Sequence, residues 1–389
     1  MQAAARQHEA QGGVLAPTPG APSVAFLITG SGLGGAEFEV RHLALAFQRR
    51  GWGVGLISMQ TIDVPFADLE SMGIRTVALS MRRGIPDPRA LLRLRAVLKG
   101  WQPDVLHGHM VHANLLARVS KLLVDTKAVI STIHCQDEGG RWRYAAYRLT
   151  DRLSSLTTAV SRIAVAEATQ KRAAAPDSIL FVPNGLVTAD YAADEEARAR
   201  LRRELDVQDG FLWLAVGRLA EQKNYPNMFA AFARVLESHP DARLVIAGKG
   251  PLEEQLQQEV ESRGLQGPLR LLGIRRDIPK LMQAADGFVM SSDWEGLPIV
   301  LLEAGASALP IVATRVAGSE DAIAAGSSGL LCEPRDSAGL AASMVKVMEL
   351  PLAERLRMGQ AGRNHVQEHF ELEAVASTWE YLYRQQLTK

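Results

Sequence analysis

Val24-Ala-Phe-Leu-Ile-Thr29 runs directly into Gly30-Ser-Gly-Leu-Gly-Gly35, and this junction decides the fold class. A short apolar run that ends in glycines reads as a strand buried on both faces. The stretch after it places Phe38, Leu43, Leu45 and Phe47 among the apolar positions of a helix, and Gly53-Val-Gly-Leu-Ile-Ser58 reads as a second strand. Strand, tight turn, helix and strand form the unit from which parallel sheets are built.

The same alternation continues outward. Strand-like runs fall at residues 76–79, 105–107, 128–132 and 156–160, with helical stretches at 87–99 and 113–123. Pro183-Asn-Gly185 signals a turn. Residues 194–204 (DEEARARLRRE) form a charged helix without a strong apolar face, as expected near a domain junction. The pattern then restarts, with strands at 211–216, 243–247, 269–272 and 287–290 and helices at 228–238, 253–263 and 278–284. Residues 371–386 carry Trp379, Tyr381, Leu382 and Tyr383 and read as a closing helix. The expected architecture is therefore two consecutive α/β domains, each a doubly wound parallel sheet, facing one another across a cleft.

Length and composition agree with two domains. The chain has 389 residues, 47% of them hydrophobic and 22% charged, which is enough apolar material for sizeable cores. The net charge of zero conceals an asymmetry: residues 1–190 carry 21 Lys and Arg against 15 Asp and Glu. Between Arg75 and Arg152 the balance is 14 to 6. A basic first half suits an anionic partner such as a membrane surface or a phosphorylated acceptor, and solvated helix faces are the plain alternative. Cys135 and Cys332 have no metal-type spacing and read as buried thiols in a reducing compartment. No apolar run approaches the roughly 18 residues of a membrane helix. The leader, residues 1–21, lacks a signal-peptide core and reads as disordered. A cytoplasmic location follows as the expectation.

Three loops carry candidate chemistry. Gly30, Gly32 and Gly35 match G-x-G-x-x-G between a strand and a helix, where backbone N–H groups can approach a phosphate. The second strand ends without the acidic residue of a dinucleotide fingerprint, although Asp63 lies nearby, so a nicotinamide oxidoreductase is a distant reading. A tight turn that simply needs glycine is another. The second loop, Gly217-Arg218-Leu-Ala-Glu-Gln-Lys223, presents two cations just past a strand end, one able to fork two oxygens and one a mobile point charge.

The third loop is the most specific: Ser291-Ser-Asp-Trp-Glu295-Gly-Leu-Pro-Ile-Val-Leu-Leu-Glu303. Pro298 suits the first turn of a helix. Glu295 then precedes that helix and Glu303 lies within it among apolar residues. If the whole span were helical the carboxylates would be roughly 12 Å apart along the axis, too far to share one bond as acid and base. Two ends of an elongated ligand suit them better. For Glu303 the structural alternative is a buried carboxylate tied to an arginine.

Taken together, Gly34-Gly35, Gly217-Arg218 with Lys223, and the E-x7-E segment Glu295–Glu303 resemble the retaining glycosyltransferases of family 4, which have the GT-B fold. The similarity extends from Val24 to the C-terminal helix. It implies an acceptor-side domain at 22–205, a nucleotide-sugar-binding domain at 206–369, and a helix at 370–389 that packs back across the domains. It also implies roles. Arg218 and Lys223 would hold the donor diphosphate, Glu303 the ribose, and Glu295 the transferred sugar together with main-chain N–H groups at Gly296 and Leu297. The backbone near Arg275 would read the base, and Gly34 and Gly35 would border the reaction centre. His109 matches the family's active-site histidine. His134, Arg141 and Arg143 are candidate acceptor-side residues, with surface charge as their alternative.

His107, His109 and His112 fall within six positions, but the first two stand where a strand is expected to give way to a loop and need not converge. No D-x-D triplet occurs, so the expectation is transfer without metal or other cofactor. The resemblance implies a hexose or N-acetylhexosamine moved from a nucleotide diphosphate sugar, UDP being favoured, to a lipid-linked or saccharide acceptor in cell-surface polysaccharide assembly. Peripheral contact with the inner face of the plasma membrane and no nucleic-acid partner complete the expectation. A nucleotide-sugar epimerase, a phosphorylase of the same fold and a non-catalytic nucleotide-sugar sensor are the alternatives.

Overall fold

The computed structural model describes residues 20–388 apart from 31, 33, 83, 86, 137, 138, 208 and 209. The expected leader lies outside the described residues except for its last two, and two positions of the first glycine loop also lie outside them. The chain divides into two compact units: residues 1–185 with 372–389, and residues 186–371.

The first unit holds a seven-stranded sheet: β1 (Ser23–Ile28), β2 (Gly53–Ser58), β3 (Arg75–Ala78), β4 (Val105–His109), β5 (Ala128–Ile133), β6 (Leu156–Ala159) and β7 (Ile179–Phe181). Their order is β3-β2-β1-β4-β5-β6-β7, with every pairing parallel. The chain winds outward from β1 to β3 and then returns to β4, so the direction of winding reverses between β1 and β4. The second unit repeats the plan with β8 (Leu212–Val216), β9 (Arg243–Ala247), β10 (Leu269–Leu271), β11 (Gly287–Met290), β12 (Ile311–Thr314) and β13 (Gly329–Cys332). Its order, β10-β9-β8-β11-β12-β13, reverses between β8 and β11. In open sheets of this kind ligands bind beyond the carboxyl ends of the strands at such reversals.

Both sheets are buried on both faces, which is why their strands read as continuous apolar runs. Alternate residues of β1 serve different layers. Ala25 and Leu27 join Leu94, Leu98, Ala113 and Ala117 from the helices Arg89–Trp101 and Val111–Ser120. Phe26 faces the other way, against Phe47 and the rings of His107 and His109. In the second unit Trp213, Phe229, Phe232 and Met344 anchor one layer.

Three expectations need correction. The boundary falls at Gly185, not at residue 205, because the charged helix Glu195–Glu204 docks onto the second unit. Arg198 donates to the carbonyls of Gln283 and Ala285, each at 2.8 Å, and Arg202 reaches the Asp286 carboxylate at 2.8 Å. Side chains that read as solvent-facing charge are thus the helix's anchors, with Ala197 and Leu201 buried beneath it. The C-terminal helix, Leu372–Leu387, belongs to the first unit, where Trp379 and Tyr383 are buried against Phe47, Trp52 and His107. Finally, β4 extends through His109, so both histidines lie on the strand. The strands β7, β12 and β13 are additional to those expected from the sequence.

Candidate active site

In the second unit the loops after β8 and β11 meet at the reversal. The Lys223 ammonium donates to Glu295 Oε1 at 2.7 Å, Ser292 Oγ donates to the same oxygen at 2.8 Å, and Gln222 Nε2 donates to Oε2 at 3.0 Å. Both charged side chains are largely withdrawn from solvent, at 16% and 9% exposure. Losing one member of such a pair strands a charge, which typically costs about 3–5 kcal/mol. The loops are stitched by further bonds. Ser291 Oγ donates to the Lys223 and Asn224 carbonyls at 2.8 and 3.0 Å, and Asn224 Nδ2 donates to Asp293 Oδ1 at 2.8 Å. Asn224 takes a left-handed conformation (φ 43°) and caps the helix Tyr225–Ser238. Asparagine tolerates that conformation and satisfies a helix-end donor, so one residue both ends the loop and starts the helix.

Beside this pair Arg218 is exposed, and its guanidinium makes no ion pair among the described residues. The surrounding backbone is held by glycines. Gly248, after β9, has φ +153°, and a Cβ there would sit 1.9 Å from the Gly217 carbonyl oxygen. Gly318, after β12, has φ +74°, and a Cβ there would lie 2.3 Å from the Gly296 carbonyl oxygen. The backbone thus approaches closely at Gly217–Arg218 and Gly296–Leu297, where donor contacts are expected, and only glycine at 248 and 318 leaves room for it.

The helix bearing Glu303 spans Ile299–Ala306, with Pro298 just before it rather than in its first turn. Glu303 is half-buried, and Tyr191 Oη donates to its Oε1 at 2.9 Å. The partner is thus a tyrosine and not an arginine. Burial raises the Glu303 carboxyl above its ordinary range, with the tyrosine bond opposing. Glu295 and Glu303 have separate partner sets, which suits two separate contacts better than a shared proton. The Arg275 side chain pairs with Asp277 at 2.8 Å and Glu204 at 2.7 Å, bracing the loop after β10.

In the first unit the reversal between β1 and β4 is lined differently. Gly34 is the N-cap of the helix Gly35–Arg49, and the Glu37 carboxylate folds back to 2.4 Å from where a Gly34 Cβ would stand. Opposite lies a run of imidazoles. Side chains two apart on a strand share a face, and the His107 and His109 ring centroids are 4.0 Å apart. His107 is satisfied at both nitrogens, by Tyr383 Oη at 2.6 Å and Thr132 Oγ1 at 2.7 Å. His109 Nδ1 lies 3.0 Å from His134 Nε2, while His109 Nε2 is buried and has no partner among the described residues. Burial holds all three imidazoles below the usual range, His134 at about 4, so each is neutral at pH 7. His134, expected on the acceptor side, is brought directly onto His109. Arg141 and Arg143 stand apart, at the start of the helix Arg141–Thr150.

Two family models match the chain in succession. The one described as Glycosyltransferase Family 4 covers residues 33–190, and the one described as Glycosyl transferases group 1 covers residues 197–365. The chain belongs to glycosyltransferase family 4. A glycogen synthase of Mycobacterium tuberculosis is 26% identical over 388 residues, spanning 90% of this chain and 91% of that one. The UDP-Gal:alpha-D-GlcNAc-diphosphoundecaprenol alpha-1,3-galactosyltransferase of Escherichia coli is 29% identical over 281 residues, 68% of this chain and 71% of that one. Among solved structures, Anabaena HepE in complex with UDP superposes with a TM-score of 0.83 at 19% identity, covering 93% of this chain and all of that one. The fold is GT-B, and the protein is a glycosyltransferase acting on nucleotide sugars.

Within this family-4 enzyme several site residues escaped the sequence reading. Gly248-Lys-Gly250 follows a strand and precedes a helix, the same signal that drew attention to Gly30–Gly35, and was available. Gln222 and Ser292 sit inside segments already singled out. Tyr191 carried no signal, because its link to Glu303 spans 112 positions and arises only from packing.

Proposed function

We propose that this glycosyltransferase moves a hexose or N-acetylhexosamine from a UDP-sugar to a hydroxyl of a lipid-linked or saccharide acceptor, with retention at the anomeric carbon, in cell-surface polysaccharide assembly. The observation that carries the donor half is the Lys223–Glu295 pair at the β8/β11 reversal with exposed Arg218 beside it. A diphosphate entering there gains Arg218 at once and competes with Glu295 for Lys223. Glu295, released from the lysine but still held by Ser292 and Gln222, then turns its acceptor capacity to sugar hydroxyls. Glu303, oriented by Tyr191, takes the ribose hydroxyls. HepE has been solved with UDP and with UDP-glucose, and the Escherichia coli relative is named for UDP-Gal and a diphosphoundecaprenol acceptor, which supports these choices.

In the reaction the bond from the anomeric carbon to the diphosphate oxygen breaks and a bond to the acceptor oxygen forms on the same face. The acceptor proton passes to the departing phosphate oxygen, so no carboxylate nucleophile is needed. Arg218 and Lys223 stabilise the charge that develops on the diphosphate, the electrostatic effect that dominates many such reactions. His109 Nε2, buried and without a partner among the described residues, is suited to a sugar hydroxyl. The residues supply cationic charge themselves, and transfer is proposed to proceed without a metal or other cofactor. Among the described residues no helix is long and apolar enough to cross a membrane, and the proposed site of action is the inner membrane face.

A thermal-shift screen of UDP-, GDP- and ADP-sugars tests the reading. Stabilisation by a UDP-sugar, followed by acceptor-dependent UDP release and an NMR assignment of the product anomer, is the expected course. A flat response to the whole panel would overturn it. Conversion of the donor without acceptor would point to an epimerase, and dependence on orthophosphate to a phosphorylase.

A further inference from the structure

His107 is a fully buried imidazole to which the proposed reaction gives no task. An apolar side chain would fill its place beside Phe26 and Trp379 without needing any polar partner, whereas an imidazole there demands them. It has them at both nitrogens, and the bonds can be given a direction. Tyr383 is buried, and burial pushes its phenol well above the ordinary range, so the hydroxyl keeps its proton. Among the described residues that hydroxyl has one hydrogen-bond partner, His107 Nδ1 at 2.6 Å. Tyr383 therefore donates and Nδ1 accepts, and the single proton of a neutral ring stands on Nε2. Nε2 then donates to Thr132 Oγ1 at 2.7 Å, and Thr132 donates onward to Thr158 Oγ1 at 2.7 Å.

The chain of bonds ties the C-terminal helix Leu372–Leu387 to β4, β5 and β6 in turn. A buried polar network whose members are bonded in this way selects one arrangement and stiffens what packs on it. The His107 ring packs on Trp379, with centroids 4.5 Å apart, and on His109, with centroids 4.0 Å apart. His109 is bonded at Nδ1 to His134 and has its Nε2 buried without a partner among the described residues. A ring that must aim one nitrogen at a ligand needs neighbours that cannot turn, because small errors of aim cost rate. His107, locked at both nitrogens, is such a neighbour.

We propose that His107 is a positioning residue for His109: clamped by Tyr383 and Thr132, it fixes the surface on which the His109 ring rests and so the aim of His109 Nε2. The role rests on the reading of His109 as the imidazole that meets a sugar hydroxyl. It also gives the C-terminal helix a part in the reaction, since the clamp on Nδ1 comes from Tyr383.

The test is a double-mutant cycle on the full chain, read as UDP release from the UDP-sugar that the thermal screen selects. Tyr383→Phe keeps the ring beside Phe47 and Trp52 and removes the hydroxyl alone. Its kcat should fall about tenfold while the donor dissociation constant stays within about twofold. Thr132→Val unlocks the opposite nitrogen, should act in the same direction, and supplies the answer if the tyrosine variant does not fold. On the residual rate of His109→Ala neither change should cost anything further, because the ring being aimed is gone. A merely structural role would cost the same in both backgrounds. Imidazole nitrogen NMR reads the clamp directly: the His107 proton should stand on Nε2 in the wild type, and the His109 resonances should move in Tyr383→Phe. An unchanged kcat in both single variants, an equal loss with and without His109, or a wild-type His107 proton on Nδ1 would overturn the proposal. The two readings fail differently. Full activity in His109→Ala would remove His109 from the reaction and this role with it, whereas a slow His109→Ala beside silent Tyr383 and Thr132 variants would remove the positioning role alone.

Discussion

The two units share one topology and place opposite chemistry at the same point of it. At the β1/β4 reversal stand neutral imidazoles against aromatic rings, with His107 closed on both sides by hydroxyls. At the β8/β11 reversal stand Lys223, Glu295 and Arg218, charged and only partly paired. The winding of a sheet decides where a ligand can sit, but the side chains at the strand ends decide what it is. The second unit presents cationic charge at its reversal, and the first presents neutral imidazoles.

The contrast breaks hardest at Lys223. Lys223→Ala removes a cation from the proposed diphosphate site and leaves Glu295 without its counter-charge, so kcat/KM for UDP release should fall about 100- to 1,000-fold. The donor-induced rise in melting temperature should shrink with it. Glu295→Gln, which keeps the shape but not the charge, tests the other partner: full activity in that variant would remove Glu295 from the site.

Next in size is a backbone effect confined to the second unit. Gly248→Ala forces a methyl group into the Gly217 carbonyl, with main chain rather than a flexible side-chain end as the obstacle. A loss of about 3 kcal/mol is expected by urea denaturation, together with weaker donor binding as Gly217–Arg218 shifts. Gly100→Ala in the first unit meets nothing within 4 Å and should leave both quantities unchanged. Equal effects from the two changes would contradict the picture of a glycine-held phosphate loop.

Much of this was legible in the sequence. The strand-to-glycine junctions at Ile28–Gly30 and Val216–Gly217 show because a strand buried on both faces must be apolar throughout and then stop. Glu295 and Glu303 show because carboxylates amid Leu and Ile call for a reason. The domain boundary was misread because Arg198 and Arg202 look like solvent-facing charge, and only tertiary packing brings Asp286 and the carbonyls of residues 283–285 to them. The histidine pairing was hidden for a related reason: β4 runs two residues further than its apolar run, and His134 belongs to the loop after a different strand.

A buried acid in the first unit sharpens the contrast through pH. Glu39 accepts the Gly185 N–H at 2.8 Å, and burial pushes its carboxyl up to about 8 from 4.5. Between those values the folded state holds a proton that the unfolded chain has released. The stability contributed is therefore full below pH 4.5 and is lost as pH rises to about 8. Glu39→Gln has no such proton. Its stability relative to wild type should improve by on the order of 2 kcal/mol between pH 5 and pH 8, read from urea midpoints. A difference that stays constant across that range would place the carboxyl outside the buried network.

The smallest effect concerns the orientation of His109. Two neutral imidazoles in contact must share one proton between Nδ1 of His109 and Nε2 of His134, and the choice fixes the character of His109 Nε2. If His134 donates, His109 carries its own proton on Nε2 and offers a hydrogen bond to a sugar oxygen. His134→Ala frees the ring and mixes the tautomers, so kcat should fall about tenfold while the donor dissociation constant changes little. His134→Gln, whose amide N–H can occupy the same place, should recover part of the rate, and a merely structural role would not distinguish the two variants. Acidification adds a second reading. His134 titrates at about 4 in the folded state against 6.5 when free, so its contribution to stability is intact above pH 6.5 and is lost as pH falls towards 4. The glutamine variant should lose less stability over that interval than wild type. Since no comparable imidazole stands at the β8/β11 reversal, that acid sensitivity should belong to the first unit alone.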